Sequence, residues 1–548
     1  MENGSEWTTG VADYLPFMDP TVAHVPLTPN AFDEHVLGRM LEFATPATPW
    51  YRRLWHSGPV LTAAELLEAG GLRGGIAAKR ELQADLVTSL RDDAGLGPHA
   101  RAIRAALPKD ARDLVIGGHS WHALTAARAQ AATGYLSRWA AELRKSRGYD
   151  EEFVACRLAA HLLDHGWSAS HLHRWTTFRI VHRPTLVELP DILEEADADL
   201  SSPDRVFSFC VPLAQAPPTP RPTPQGWLTG RGVAAWRQAN IPDAQPIRQY
   251  GAVLMDVSAP DVYSAADDVR SQVAGLVTRF AVGGRKELRF GPDMWVAGRP
   301  NPLPIEGSPR RVEVHAFERL ERLFALNIPA QLASSLALIE PLDRGAPVAA
   351  ITGSWAAMEA LMVGPADGAR STAADRLALI VAASYLRAEL TAVAWAHART
   401  ASDPLAASIS AAVDNRSKAE LAERAIAASS TIALQRATDR WALGRVTSLQ
   451  PDPRRGVLLM QAPIRRAFLR LYRQRNMIVH GGRTDAVGIE AALRIAAPLV
   501  GAGLDRVAHA ALDRGIEPLV LAATARIRLE TLTPATAMRG SGVVDLLT

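Results

Sequence analysis

Apolar residues three and four positions apart run through most of residues 28–183, as in AAKRELQADLVTSLRDDAG and SWHALTAARAQAATGYLSRWAAELRKS, and this spacing predicts helices. RLAAHLLDHGWSASHLHRW reads as two short helices broken at Gly166, with Ser168 as the N-cap of the second. The period then changes. RVFSFCVPL (Arg205–Leu213) and YGAVLMDVSA (Tyr250–Ala259) read as strands, separated by APPTPRPTPQG, which suits neither a helix nor a central strand. PDVYSAADDVRSQVAGLVTRF returns to a helical spacing and KELRFGPDMWVAG to a strand-like one. Beyond residue 316 the pattern is almost purely helical, over Phe317–Leu326, Pro329–Ile339, Val348–Val363, Ala373–His397, Lys418–Ala442, Gly456–His480 and Asp485–Arg514. Short polar or Gly/Pro connections between them predict an antiparallel bundle.

The fold class expected is therefore mainly α. A mainly helical region of unassigned role spans 1–199, and a small α+β module with a Pro-rich loop spans 200–315. A helical bundle follows over 316–515, and a C-terminal tail over 516–548. A chain of 548 residues is too long for one compact core, which agrees with such a division. Hydrophobic content of 48% with 21% charged residues is that of a soluble globular protein. The net charge of +3 excludes a general polycation, so any nucleic-acid site must be a local patch. Two cysteines, Cys156 and Cys210, supply neither a disulfide framework nor a thiolate zinc site. The polar start MENGSEWTTG lacks the layout of a signal peptide, and no uninterrupted apolar run of about 18 residues predicts a membrane span. The expectation is a cytoplasmic protein without a metal or other cofactor.

Several motifs invite chemistry and do not sustain it. LVIGGHSWH places Ser120 as if on a nucleophile elbow, yet His122 stands where that strained turn needs a small residue. His161, His165, His171 and His173 include one pair four apart, a zinc-compatible spacing, but nothing fixes further ligands. GGLRGG (Gly70–Gly75) lacks the Lys-Ser/Thr of a phosphate loop.

One helix breaks its own pattern. Ile464, Phe468 and Leu471 form an apolar face continued by Ile478 and Val479, and Arg475 falls in the middle of it. A guanidinium there is costly to desolvate unless it is paired or lines a wet cleft. Glu359 lies likewise within the stripe of Val348, Ile351, Trp355, Met358 and Met362, which predicts a Glu359–Arg475 ion pair. Asn476 and His480, four apart, share a flank that Arg475 borders. His480 precedes the helix stop Gly481-Gly482, where the negative helix end favours its protonated form. From Pro451 to Arg483 there are eight arginines and one acid, Asp452, so Arg466, Arg470, Arg473 and Arg483 are expected on a polyanion-binding face.

RNMIVHGG, that is Arg475-Asn476-x-x-x-His480 at a helix end, preceded by SWAAMEALMVG with Trp355 and Glu359, resembles the HEPN superfamily and specifically its ApeA-like branch. The likeness covers about residues 330–515. It implies a bundle that forms a homodimer and joins two copies of the motif over one RNA-cleaving cleft. The implied activity is that of a metal-independent endoribonuclease, as in toxin, abortive-infection and antiviral systems of prokaryotes. Arg475 would stabilise the charge of the transition state, His480 would move protons, and Asn476 would hold the phosphate or orient His480. Residues 1–315 carry no part of the resemblance. A phage-derived trigger or a regulator acting through them is an analogy with modular defence proteins. Two other readings remain open: a non-catalytic sensor or adaptor that binds RNA or a nucleotide through the same cluster, and a purely structural role for Glu359, Arg475 and His480.

Overall fold

The computed structural model describes residues 31–53, 56–71, 76–181, 188–216, 224–242, 245, 247–284, 287–368, 371–532 and 543–547. The molecule is mainly helical, with a small antiparallel sheet. Residues 31–201 form a layer of helices around a core that includes Leu37, Met40, Tyr135, Trp139 and Leu158. Caps fix where these helices begin, the expected Ser168 among them. Asp150 accepts from the Phe153 N–H at 2.7 Å, and Ser168 Oγ from the His171 N–H at 2.9 Å, starting the helix Ala169–Val181.

The predicted change of period marks the sheet. Strands β1 (Arg205–Pro212), β2 (Trp227–Thr229), β3 (Gly251–Ala259), β4 (Asp293–Val296) and β5 (Leu303–Pro304) lie in the order β2-β3-β1-β4-β5. The β1–β3 register runs from Arg205 opposite Ala259 to Pro212 opposite Ala252. Alternation along β1 sends Phe209 and Val211 into the core shared with the helix Val262–Val282, while Cys210 packs with Val233 of the helix Gly230–Asn240. Most of the Pro-rich loop, 217–223, lies outside the described residues. Asp261 caps Val262–Val282 through Tyr263 and Ser264, and also accepts from the Ser168 N–H at 2.9 Å, which ties this module to the first helical layer.

In the last part, the helices Ala330–Arg344, Pro347–Met362, Thr372–Thr400, Pro453–Gly481 and Ile489–Arg514 share one core. The predicted helix at Phe317–Leu326 shrinks to Ala316–Arg319. That at Lys418–Ala442 divides into Asn415–Ala427 and Ala437–Leu449, on either side of Ser429, which adopts a positive φ of 53°. The tail expected at 516–548 is corrected too. Pro518–Thr531 is a helix started by Pro518, and its Leu521, Ala522, Ala525 and Leu529 pack into the bundle core with Val543, Leu546 and Leu547. Among the described residues, Thr372–Thr400 is long and apolar enough to cross a membrane by length and composition, and most of that apolar stretch is buried inside the bundle.

The first helical layer and the bundle meet along a charged seam. Glu389, fully buried on Thr372–Thr400, accepts from Arg52 at 3.1 Å and from Arg445 at 2.7 Å. Arg445 also reaches Glu152 at 2.9 Å, and Glu152 binds Arg39 at 2.8 Å. Each carboxylate here faces more than one guanidinium, the arrangement that lets buried charges survive desolvation.

Candidate active site

The helix Pro453–Gly481 carries every residue of the candidate trio. Asp452 caps its start by accepting from the Arg455 N–H at 3.0 Å, and Ile464, Phe468 and Leu471 anchor it in the core. Gly482, at φ 65°, ends it, and the N–H groups of Gly482 and Arg483 return to the carbonyls of Ile478 and Met477 at 3.1 Å each. The left-handed turn holds the last helical turn open to solvent. Arg475 and Asn476 are half-buried there, and His480 and Val479 are exposed.

Within one chain the three side chains converge. Arg475 Nη1 donates to Asn476 Oδ1 at 3.1 Å and to His480 Nε2 at 3.2 Å. A guanidinium can only donate, so in this arrangement the imidazole accepts through Nε2, with a cation alongside it.

The expected Glu359–Arg475 ion pair does not form. The two helices do meet, with the Trp355 and Tyr472 ring centroids 4.7 Å apart, but Glu359 is half-buried and has no ion-pair partner within 4.0 Å among the described residues. Arg475 is half-buried at the margin of the stripe, and the Asn476 amide and the His480 imidazole meet its donors instead.

The expected polyanion-binding face is corrected more broadly. Arg470 and Arg473 are only 5% and 6% exposed, covered by the first helical layer. Arg470 binds Glu65 at 2.7 Å, and Gln474 donates to the same carboxylate at 3.1 Å. Arg473 stands 3.4 Å from Asp85 and 3.8 Å from Glu81. Arg483 is exposed but paired, with Glu68 at 2.9 Å and Asp485 at 3.0 Å. Arg466 is half-buried in a cavity beside the seam. The cause is long-range compensation: Pro59–Ala69 and Ile76–Ser89 present four carboxylates to this face of the helix. Gly488 permits the approach, since a Cβ there would collide with the Glu65 carboxylate and the Gln474 amide.

Glu65, Glu68, Glu81 and Asp85 carried no signal in the sequence, being ordinary acids on amphipathic helices. Ser120 lies in the first turn of the helix His119–Ala132, with no described strand before it. His161 stacks on Tyr135 with ring centroids 4.0 Å apart and lies tilted against His165 at 3.9 Å, and burial lowers the pKa of both histidines. Among the described residues no cluster of three or more His, Cys, Asp or Glu side chains could hold a metal ion. Residues 72–75 of the GGLRGG segment lie outside the described residues. No family model, no curated protein and no solved structure matches this chain.

Proposed function

We propose that the protein is a metal-independent endoribonuclease of the HEPN type, its bundle arranged as in that superfamily and its site completed by a second copy. The observation that carries this reading is the double donation from Arg475 to Asn476 and His480 at an accessible helix end. In the reaction the 2′-oxygen attacks the adjacent phosphorus and the 5′-oxygen departs, leaving a 2′,3′-cyclic phosphate and a 5′-hydroxyl. One His480 takes the 2′-hydroxyl proton and a second, from the partner copy, supplies one to the leaving oxygen. Arg475 faces the charge that develops on the phosphoryl oxygens, and Asn476 holds one of them. Only RNA carries the nucleophile, so DNA is spared. Val479, 51% exposed beside His480, is an apolar side chain that a second copy would cover. A prokaryotic antiviral, abortive-infection or toxin role accords with this chemistry.

The test is cleavage of RNA and of matching DNA by purified protein in EDTA, with end mapping. The expected outcome is chelator-resistant RNA cleavage that falls about 100- to 10,000-fold in His480→Ala and in Arg475→Ala. Cleavage by His480→Ala at the wild-type rate removes the assigned role. Salt-sensitive RNA binding without turnover turns the reading into that of a sensor or adaptor. A large fall in melting temperature for Arg475→Ala, with activity retained, turns it into a structural one.

A further inference from the structure

A cavity of about 560 Å³ lies at the seam between residues 31–201 and the bundle, a size that encloses a small-molecule ligand. Arg475, Asn476 and His480 do not line it. Its lining holds eight arginines and four acids. Part of the excess is neutralised locally: Arg39 and Arg445 share Glu152, Arg470 binds Glu65, and Arg157 lies 3.4 Å from Asp93.

Of the remaining basic groups, Arg466 and His56 are unmatched and Arg473 is matched only in part, by Asp85 at 3.4 Å and Glu81 at 3.8 Å. Arg466 makes no hydrogen bond or ion pair among the described residues. Arg473, one face of the helix with it at a spacing of seven, is more than nine-tenths buried, yet its Nε and Nη1 atoms have no hydrogen-bond partner. The His56 ring likewise makes no hydrogen bond among the described residues, and burial, followed by the cations of Arg157 and Arg466, pushes it down to about 3. The buried Arg473 donors left unpaired in this way cost free energy that an anion would recover, and the half-buried Arg466 and His56 stand beside them on the cavity wall. Much of the remaining lining is apolar and aromatic, with Phe43, Phe153, Tyr385, Leu459 and Met460. A bare anion would fill the cationic corner and leave the aromatic wall empty, whereas an uncharged ring would leave the guanidiniums unpaired.

We propose that this cavity binds a nucleoside phosphate, the phosphate held by Arg466, Arg473 and His56 and the base among the aromatic side chains. The ligand would touch both regions, since His56 belongs to the first layer and Arg466 and Arg473 to the bundle. Binding therefore clamps the seam, whatever reaction the helix end performs.

The test titrates full-length protein with the four ribonucleoside 5′-monophosphates and triphosphates, with adenosine and inorganic phosphate as controls, by calorimetry and thermal melting. At least one nucleotide is expected to bind and to raise the melting temperature. Inorganic phosphate should bind at least about 10-fold more weakly, and adenosine not at all. Arg466→Ala removes a side chain without a partner, so the unliganded protein should melt within about 2 °C of wild type while nucleotide affinity falls about 10- to 100-fold. Binding should also raise the pH at which the His56 imidazole titrates, read by NMR. Absence of binding by every nucleotide, wild-type affinity in Arg466→Ala, or phosphate binding as tight as that of the nucleotides each overturns the proposal.

Discussion

Two arginines on one helix, Arg473 and Arg475, lie two positions apart and meet opposite fates. Two residues turn an α-helix by about 200°, which carries one guanidinium into the seam with the first helical layer and the other to the open helix end. Arg473 faces Asp85 and Glu81, carried by a helix nearly four hundred residues earlier, whereas Arg475 finds its partners within its own last turn. A local excess of positive charge thus says nothing about exposure until its compensating acids have been located. The same helix holds a structural set of cations and a chemically available one.

The largest effect that would sharpen this contrast is on stability. Glu65→Ala leaves the buried Arg470 and Gln474 without their acceptor, and should cost about 3–5 kcal/mol in denaturant unfolding. Wild-type stability in that variant would mean that the seam is wet and its charges interchangeable with surface ones. A smaller effect concerns an unmatched acid. Glu423 is buried near Glu420 and Asp545, and burial, then those charges, raise its pKa to about 7. The folded chain therefore holds a proton that the unfolded chain releases above its ordinary pKa. The resulting penalty is absent at low pH, grows from about pH 4.5 to about pH 7, and is complete above that. Glu423→Gln should accordingly gain about 1–3 kcal/mol at pH 8, with the gap closing as the pH falls toward 4.5, as measured by urea unfolding at both pH values. The smallest effect is at the rim. Arg483→Ala removes an exposed guanidinium while the Glu68 carboxylate keeps the Val487 N–H, and should shift the melting temperature by no more than about 2 °C.

What could be read from the sequence follows the range of the interactions involved. Strands β1 and β3 were legible because alternation along RVFSFCVPL and YGAVLMDVSA is a local property, bounded by proline and glycine. The candidate trio was legible for the same reason, since Arg475, Asn476 and His480 share a single helical turn and a half. The helix Pro518–Thr531 was also open to view, since Pro518 and the spacing of Leu521, Ala525 and Leu529 announce it. The cover on Arg470 was not legible. Its partner is 405 residues away, and a helical wheel shows that a charge faces inward without showing which element it meets. The expected Glu359–Arg475 pair failed on this point, because two charges in two stripes do not determine how the helices slide past each other.

The cover supplied by Glu65, Glu81 and Asp85 has a practical consequence for dissection of the protein. A fragment trimmed to residues 316–548 would bare Arg470 and Arg473 to water for the first time, and they would cling to heparin, DNA or any other polyanion offered. Affinity that such a piece owed to Arg470 and Arg473 would report the wound left by the cut, and the intact chain would lack that share of it.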